Sequence, residues 1–282
     1  MNELKAYLKR PLSLLLRVAV TAAAILTVVV LIFLILYILI NGIPYMKPSL
    51  FALEYNSENV SVVPSIISTL YLVGLSLLLA VPFGIGCAIY LTEYAKPTSR
   101  FVRVIRVTTE TLSGIPSIIY GLFGMIFFVT ALHFGYSILA GALTAAIMIL
   151  PLIIRTTEEA IKSVPDLYRE ASYELGAGKL RTIFRVVLPS AMPGILSGII
   201  LAIGRVIGET AALLYTAGTV AKIPDGLFSG GRTLALHMYV LSGEGLHMGE
   251  AFATGIILLA LVVLVNFATG RIVKRFTAKG LQ

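Results

Sequence analysis

Two opposite charges, Arg205 and Glu209, lie inside a long apolar stretch, in the run Gly-Arg-Val-Ile-Gly-Glu-Thr-Ala. Residues four apart share one face of a helix, so the spacing predicts an ion pair that faces the bundle interior or a water-filled path. An arginine near the centre of a membrane helix costs roughly 2.5–3.5 kcal/mol, and its guanidinium does not deprotonate. Its planar fork donates two parallel hydrogen bonds and suits a tetrahedral oxyanion. An ion pair that only fixes helix packing is the alternative.

Six apolar runs must position this pair. Of the 282 residues, 58% are hydrophobic and only 13% are charged. Each run is close to the roughly 20 residues that cross a bilayer, and backbone polar groups in lipid must be satisfied within a helix. The sequence therefore predicts an all-α, polytopic membrane bundle of six transmembrane helices. The predicted spans lie near 18–40, 65–91, 107–131, 137–155, 191–217 and 250–270. The first run is too long for the apolar part of a signal peptide, so we expect it to be a retained span.

Three spans contain residues that predict local irregularity or packing. Pro116, in the run Ser-Gly-Ile-Pro-Ser, predicts a kink or break of the third span. Gly194 and Gly198 predict close helix packing in the fifth span. Glu110 lies close to Arg103 and Arg106, which favours an ion pair at the membrane interface over a role in transport.

The positive charges predict the orientation of the bundle. With the N-terminus inside, 18 lysines and arginines fall on the cytoplasmic side and 3 on the other, namely Lys47, Lys222 and Arg232. This asymmetry predicts that both termini are cytoplasmic. The formal net charge of +8 comes from residues that flank the apolar runs and form no single basic stripe, so no nucleic-acid partner is expected.

The longest predicted cytoplasmic loop, at about 156–190, has the pattern of two short helices. Ser163 can cap a helix that starts near Pro165 and Asp166, and Gly176 can end it in a left-handed conformation. The apolar residues of this helix share one face. A second helix is predicted from Lys179 to Val187, ending before Pro189.

The same loop resembles the EAA loop of ABC importer permeases. That pattern is Glu-Ala-Ala, three residues, Gly, nine residues and Ile-x-Leu-Pro. The matching positions here are Glu170, Ala171, Ser172, Gly176, Leu188 and Pro189. Ser172 replaces the second alanine and Val186 replaces the isoleucine. The resemblance implies a type I importer fold and a loop that seats in a groove of an ATPase subunit. An amphipathic helix lying on the lipid surface is the alternative.

The sequence carries no ATPase motif of its own. Gly176-Ala177-Gly178-Lys179 resembles part of a phosphate-binding loop, but Tyr173 and Leu180 occupy positions that need Gly and Ser or Thr. We therefore predict a transport subunit that is not an enzyme, with no catalytic residue and no cofactor. His133, His237 and His247 are interpreted as loop residues, and no metal site is predicted. The lone cysteine, Cys87, cannot form an intramolecular disulfide.

Further runs resemble the permeases of the phosphate-specific transport system, and the A-type more than the C-type. These are the run that contains Arg205 and Glu209, the run at 113–121, and the stretch from Arg232 to Tyr239. The resemblance implies that Arg205 and Glu209 line the substrate pathway for inorganic phosphate. It also implies four kinds of partner in the cell inner membrane and beside it: membrane lipid, a second homologous permease, an ATPase dimer and an extracytoplasmic phosphate-binding protein.

Several alternatives remain open at this point. Sulfate, molybdate or tungstate would satisfy the same oxyanion chemistry, and the C-type phosphate permease shares the same runs. A secondary transporter would also have intramembrane charges, but it would need no EAA loop. We expect residues 1–64 to form the first span and an extracytoplasmic segment, and residues 65–271 to form the permease core.

Overall fold

The computed structural model describes residues 11–96 and 98–279, and every regular element in these two ranges is helical. The helices are α1 (Pro11–Gly42), α2 (Val63–Ile89), α3 (Arg100–Ser113), α4 (Ser117–Gly124), α5 (Ile138–Lys162), α6 (Asp166–Glu174), α7 (Lys179–Thr182), α8 (Leu188–Ile207), α9 (Ala211–Leu214), α10 (Leu234–Glu244) and α11 (Met248–Lys279). Wider π-helical turns follow α2 (Tyr90–Tyr94) and α4 (Met125–Ala131) and join α7 to α8 (Ile183–Val187). Two 3-10 turns, Ile43–Tyr45 and Pro48–Phe51, follow α1.

The number of spans agrees with the predicted six. Within the described residues, five stretches are long and apolar enough to cross a membrane: Leu12–Tyr45, Val63–Tyr94, Ile138–Lys162, Lys179–Ile207 and Met248–Arg271. A sixth span arises if Arg100–Ser113 and Ser117–Ala131 are counted together. We call the end of the bundle that carries α6 the EAA-loop end and the other the opposite end.

The third span is broken where Pro116 predicted it. Its two helices meet at an angle of 104°. Pro116 has φ −58° and ψ 140°, so the chain leaves the helical conformation there, and the proline nitrogen cannot donate to the preceding turn. The predicted break within 107–131 is therefore present, and residues 107–113 belong to the helix before the bend.

The fifth span differs more strongly from its prediction of 191–217. Its apolar helix ends at Ile207, and a separate short helix starts at Ala211. Gly208, a poor helix former, follows the last helical residue. The Glu209 carboxylate then accepts a hydrogen bond at 3.0 Å from the backbone N–H of Ala212, in the first turn of α9. This bond satisfies a donor that a new helix start leaves free, which favours a break over a continuous helix.

The second loop helix does not end before Pro189. The chain stays helical from Lys179 to Ile207, through the π-helical turn at Ile183–Val187. Pro189 is the second residue of α8 and follows directly after this π-helical turn, without ending the helix. The EAA loop is therefore continuous with the fifth span, and no break separates them.

Helix α5 forms the centre of the bundle and packs between α2 and α8. A Cβ added to Gly194 would lie 2.7 Å from the Cβ of Ala160, and one added to Gly198 would overlap Thr156. Both glycines are needed for this close approach of α8 to α5, so the predicted packing role is confirmed.

Candidate functional site

Arg205 lies about halfway through the membrane-spanning part of the bundle. The contacts of Gly194 with Ala160 and of Gly198 with Thr156 fix the antiparallel register of α8 on α5. Because both helices rise 1.5 Å per residue, the same register places Arg205 approximately level with Ile149. Ile149 is near the midpoint of α5, and it shares a buried cluster with Val206.

The predicted ion pair between Arg205 and Glu209 is not formed. Glu209 is only 8% exposed and lies beyond the end of α8, where its carboxylate bonds to the Ala212 N–H. The two residues are four apart in sequence, but the helix that would align them ends at Ile207. The prediction failed because it assumed one helix through both positions.

The guanidinium of Arg205 has no hydrogen-bond or ion-pair partner among the residues that the structure describes. Its charge acts on the hydroxyl of Tyr120, which donates to the Leu112 carbonyl oxygen at 2.8 Å. Gly204 has open space where a Cβ would stand, and Leu201 and Gly208 on the same face of α8 are exposed. Arg205 is therefore a half-buried membrane charge, next to open space at Gly204 and without a partner among the described residues.

The EAA loop presents an apolar, unpaired face. In α6 and just after it, Leu167, Tyr168 and Leu175 are 68%, 49% and 89% exposed. Gly176 ends this helix with φ +80°, as predicted. The predicted cap is wrong, however, because the Ser163 hydroxyl donates to the Ala160 carbonyl oxygen and makes no bond to the start of α6.

The motif positions of the EAA loop divide into exposed and structural residues. Glu170, Ala171 and Pro189 are exposed, whereas Leu188 is half-buried. Ser172, where the family pattern has alanine, is half-buried, and its hydroxyl bonds the Thr182 hydroxyl at 2.8 Å. This bond ties α6 to the end of α7, which gives the departure from the pattern a structural role.

Arg169 connects α6 to the membrane bundle, and the sequence pattern did not single it out. Its Nε and Nη2 donate to Glu93 Oε1 at 3.1 and 2.9 Å. Its remaining donors reach the carbonyl oxygens of Val164 and Ile161 and a carboxylate oxygen of Asp166, at 2.9 to 3.1 Å. All five N–H groups of the guanidinium are thus used. The pairing could not be read from spacing, because Glu93 lies 76 residues earlier.

A second ion-pair cluster at the EAA-loop end corrects the expectation for Glu110. Arg106 pairs with Glu158 at 2.8 Å, and Lys162 pairs with the same carboxylate oxygen at 2.6 Å. Glu110 is exposed and lines a cleft of about 220 Å³ beside Arg106, without an ion pair among the described residues. The buried Glu158 attracts Arg106 because an uncompensated carboxylate there would be costly.

The histidines do not all lie in loops as predicted. His237 is fully buried in α10, where its Nδ1 lies 3.3 Å from an Nη1 of Arg232. His133 is exposed, with φ +56°, and His247 lies 3.8 Å from a Glu250 carboxylate oxygen. The described residues hold no group of three or more histidine, cysteine or carboxylate side chains that could bind a metal ion.

This fold and site define a class: a helical membrane transport subunit with an unpartnered charge at mid-depth and an exposed helical loop for a partner. The chain belongs to the family of binding-protein-dependent transport system inner membrane components, whose model matches residues 80–278. It is therefore a multi-pass inner-membrane protein, and this family replaces the secondary-transporter alternative.

Individual relatives agree with this family. The chain is 35% identical over 250 residues to the probable ABC transporter permease protein YqgI of Bacillus subtilis, covering 82% of this chain and 85% of that protein. It is 40% identical over 213 residues to the phosphate transport system permease protein PstA 1 of Mycobacterium tuberculosis, covering 74% of this chain and 69% of that protein. The fold matches a subunit of a bacterial alginate ABC transporter with a TM-score of 0.67 at 16% identity, over 93% of this chain and 95% of that one.

Proposed function

We propose that this chain is the A-type permease subunit of an ATP-driven importer that moves inorganic phosphate across the cytoplasmic membrane. The observation that carries the substrate is the 40% identity, over 74% of the chain, to a phosphate transport system permease. The unpartnered Arg205 supports it, because a guanidinium at mid-depth offers parallel N–H donors to an oxyanion.

In this proposal Arg205 binds the phosphate oxygens during transit. Glu209 borders the same pathway but acts differently from the paired carboxylate that its spacing suggested. Its bond to the Ala212 N–H holds the turn that follows α8, so it sets where the helix ends and how Arg205 is presented. Because no carboxylate of the described residues pairs with Arg205, its charge is available to the anion.

The EAA loop, in this proposal, faces the cytoplasm and docks an ATPase subunit. The exposed Leu167, Tyr168 and Leu175 provide an apolar surface of the kind that such a groove covers. The exposed face of α8 around Arg205 faces a second, homologous permease, and an extracytoplasmic phosphate-binding protein delivers the substrate at the opposite end. Residues 65–271 form the permease core, with residues 1–64 as an added first span and outer segment.

The test is uptake of labelled phosphate by proteoliposomes that contain the assembled importer and its binding protein. We expect uptake that requires ATP, that excess phosphate blocks, and that sulfate and tungstate do not. Arg205→Lys keeps the charge but loses the planar fork, so we expect uptake to fall at least tenfold while basal ATP hydrolysis continues.

Two outcomes would contradict the proposal. Uptake that persists without ATP or without the ATPase subunits would exclude an ATP-driven importer. Equal competition by tungstate or sulfate, or uptake of either in place of phosphate, would replace phosphate by another oxyanion. A matched control is Arg155→Lys, because Arg155 is an exposed arginine on α5 whose ion pair with Glu159 is largely solvated.

A further inference from the structure

A cleft of about 610 Å³ lies at the opposite end of the bundle, between the segment after α1 and the segment that precedes α10. Four charged residues line it: Arg232, Lys222, Glu54 and Asp225. Apart from Pro64 at the start of α2, the residues that line the cleft lie outside the membrane-spanning stretches. The pathway described above does not use it.

Arg232 is held rigidly at this cleft. The residue is only 9% exposed. Its backbone N–H donates to the Val220 carbonyl oxygen at 3.0 Å, and its Nε donates to the Thr219 carbonyl oxygen at 2.8 Å. The guanidinium carbon lies 5.4 Å from the centre of the Tyr55 ring. These contacts fix the plane of the guanidinium and therefore the direction of its remaining donors.

The Nη2 edge of this guanidinium is directed into the cleft. Nη1 lies 3.3 Å from His237 Nδ1, whereas Nη2 has no hydrogen bond to any described residue. Nη2 is not among the polar atoms that protein encloses, and Arg232 lines the cleft, so Nη2 reaches the cleft space. A guanidinium with an unbonded amino group in a cleft can donate charge-assisted hydrogen bonds to an oxyanion.

No carboxylate of the described residues forms an ion pair with Arg232, although Glu54 and Asp225 line the same cleft. Because an arginine nitrogen always donates, His237 Nδ1 accepts, and its imidazole is neutral with the proton on Nε2. Burial, and next the charge of Arg232, lower the pKa of His237 to about 4, so the ring stays neutral at physiological pH. Asp225 lies 3.7 Å from Lys222, and no carboxylate in the described ranges pairs with Arg232. A buried charge without a counter-charge is costly, and an anion in the cleft would remove that cost.

We propose that this cleft is a second oxyanion site, in which Arg232 and Lys222 bind inorganic phosphate before it reaches Arg205. The identity of the anion rests on the proposed function, whereas the existence of the site rests on Arg232. Lys222 extends from the rim with its side chain 73% exposed, which suits capture of an anion from solution. The carboxylates of Glu54 and Asp225 accept the P–O–H hydrogen that phosphate carries and sulfate lacks, so the cleft favours phosphate.

The test is equilibrium binding of labelled inorganic phosphate to the purified importer complex, without binding protein, in an Arg205→Gln background. The second permease stays unchanged in every arm. We expect Arg232→Gln to weaken the remaining binding to this subunit at least tenfold and Lys222→Gln to weaken it about threefold. The control is Lys47→Gln, an exposed lysine at the same end that does not line the cleft, and it should change nothing.

The remaining outcomes would contradict either the site itself or phosphate as its ligand. Lys222→Gln keeps the fold, because that side chain is solvated, so it separates binding from misfolding if Arg232→Gln is unstable. Phosphate binding that neither variant alters overturns the proposal. If tungstate binds with the same dependence on Arg232 and phosphate does not, the site stands and the proposed substrate falls.

Discussion

Glu93→Gln should release α6 from the membrane bundle while leaving the fold of each helix intact. Glu93 Oε1 accepts two hydrogen bonds from Arg169, and the two side chains are 7% and 15% exposed. Hydrogen bonds to charged groups contribute about 1.5–3 kcal/mol each. Glutamine keeps an oxygen acceptor but loses the charge, so we expect a loss of about 2–3 kcal/mol. That corresponds to about a 30- to 150-fold shift in the equilibrium between docked and released α6.

Two measurements on the assembled importer in nanodiscs report this shift. The first is hydrogen exchange of the backbone amides at 166–174, which should become faster in Glu93→Gln. The second is the ratio of phosphate transported to ATP hydrolysed, which should fall while ATP hydrolysis continues. The reason is that an ATPase gripping a released α6 moves the loop without moving the end of α2.

The matched control is Glu159→Gln, which also removes a carboxylate from an arginine at the same end. Both side chains of the Arg155–Glu159 pair are 65% exposed, so the pair contributes about 0.3–0.5 kcal/mol at most. Neither exchange nor coupling should change in this variant. If Glu93→Gln behaves like Glu159→Gln in both assays, then the Arg169–Glu93 contact does not attach α6 to the bundle.

Three further outcomes follow from glycine geometry and from a buried histidine. Gly194→Val should lower the stability of the detergent-solubilised chain by about 1–3 kcal/mol, because the added Cβ would meet Ala160. The measurement is the thermal midpoint, which should fall. Gly176→Ala should cost about 1 kcal/mol, since Gly176 has φ +80°, whereas Gly178→Ala, with φ −73° and open space, should cost little. The pKa of His237 is lowered to about 4 in the folded chain. Below about pH 6.5 the side chain therefore binds a proton in the unfolded chain, whereas in the folded chain it stays neutral until about pH 4. Stability should therefore fall from about pH 6.5 towards pH 4, by roughly 2 kcal/mol at pH 5, and His237→Gln should remove this part of the pH dependence. If the thermal midpoint of the unmodified chain falls between pH 7 and pH 5 by no more than that of His237→Gln, the prediction for His237 is contradicted.

The features that the sequence predicted well depend on local chemistry. A run of about 20 apolar residues crosses a bilayer wherever the rest of the chain lies, so the number of spans was accessible. Pro116 breaks a helix through its own ring, and Gly176 permits a left-handed conformation through its missing Cβ. Each of these effects acts within one turn of the residue that causes it.

The features that failed depend on competition between distant or alternative partners. The Arg205–Glu209 pair required a helix to continue past Gly208, but the Glu209 carboxylate satisfies the start of α9 instead. Glu110 lies within reach of Arg106 on the same helix, yet Arg106 pairs with the buried Glu158 on α5. Periodicity reports neighbours on one helix and cannot rank them against a charge supplied by another.

The two halves of the EAA loop are attached to different parts of the bundle, and we expect this difference to decide how motion of the loop reaches Arg205. Helix α6 is held to the end of α2 by the two hydrogen bonds from Arg169 to Glu93, whereas the other three hydrogen bonds of Arg169 reach Ile161, Val164 and Asp166. The second half is continuous with the span that carries Arg205, from Lys179 to Ile207. A force on the loop therefore acts on α8 along its own axis and on α2 through side chains. Gly194 and Gly198 press α8 against α5, and Val206 is buried with Ile149 at the level of Arg205, so we expect a force on the loop to be shared between α8 and α5 up to that level.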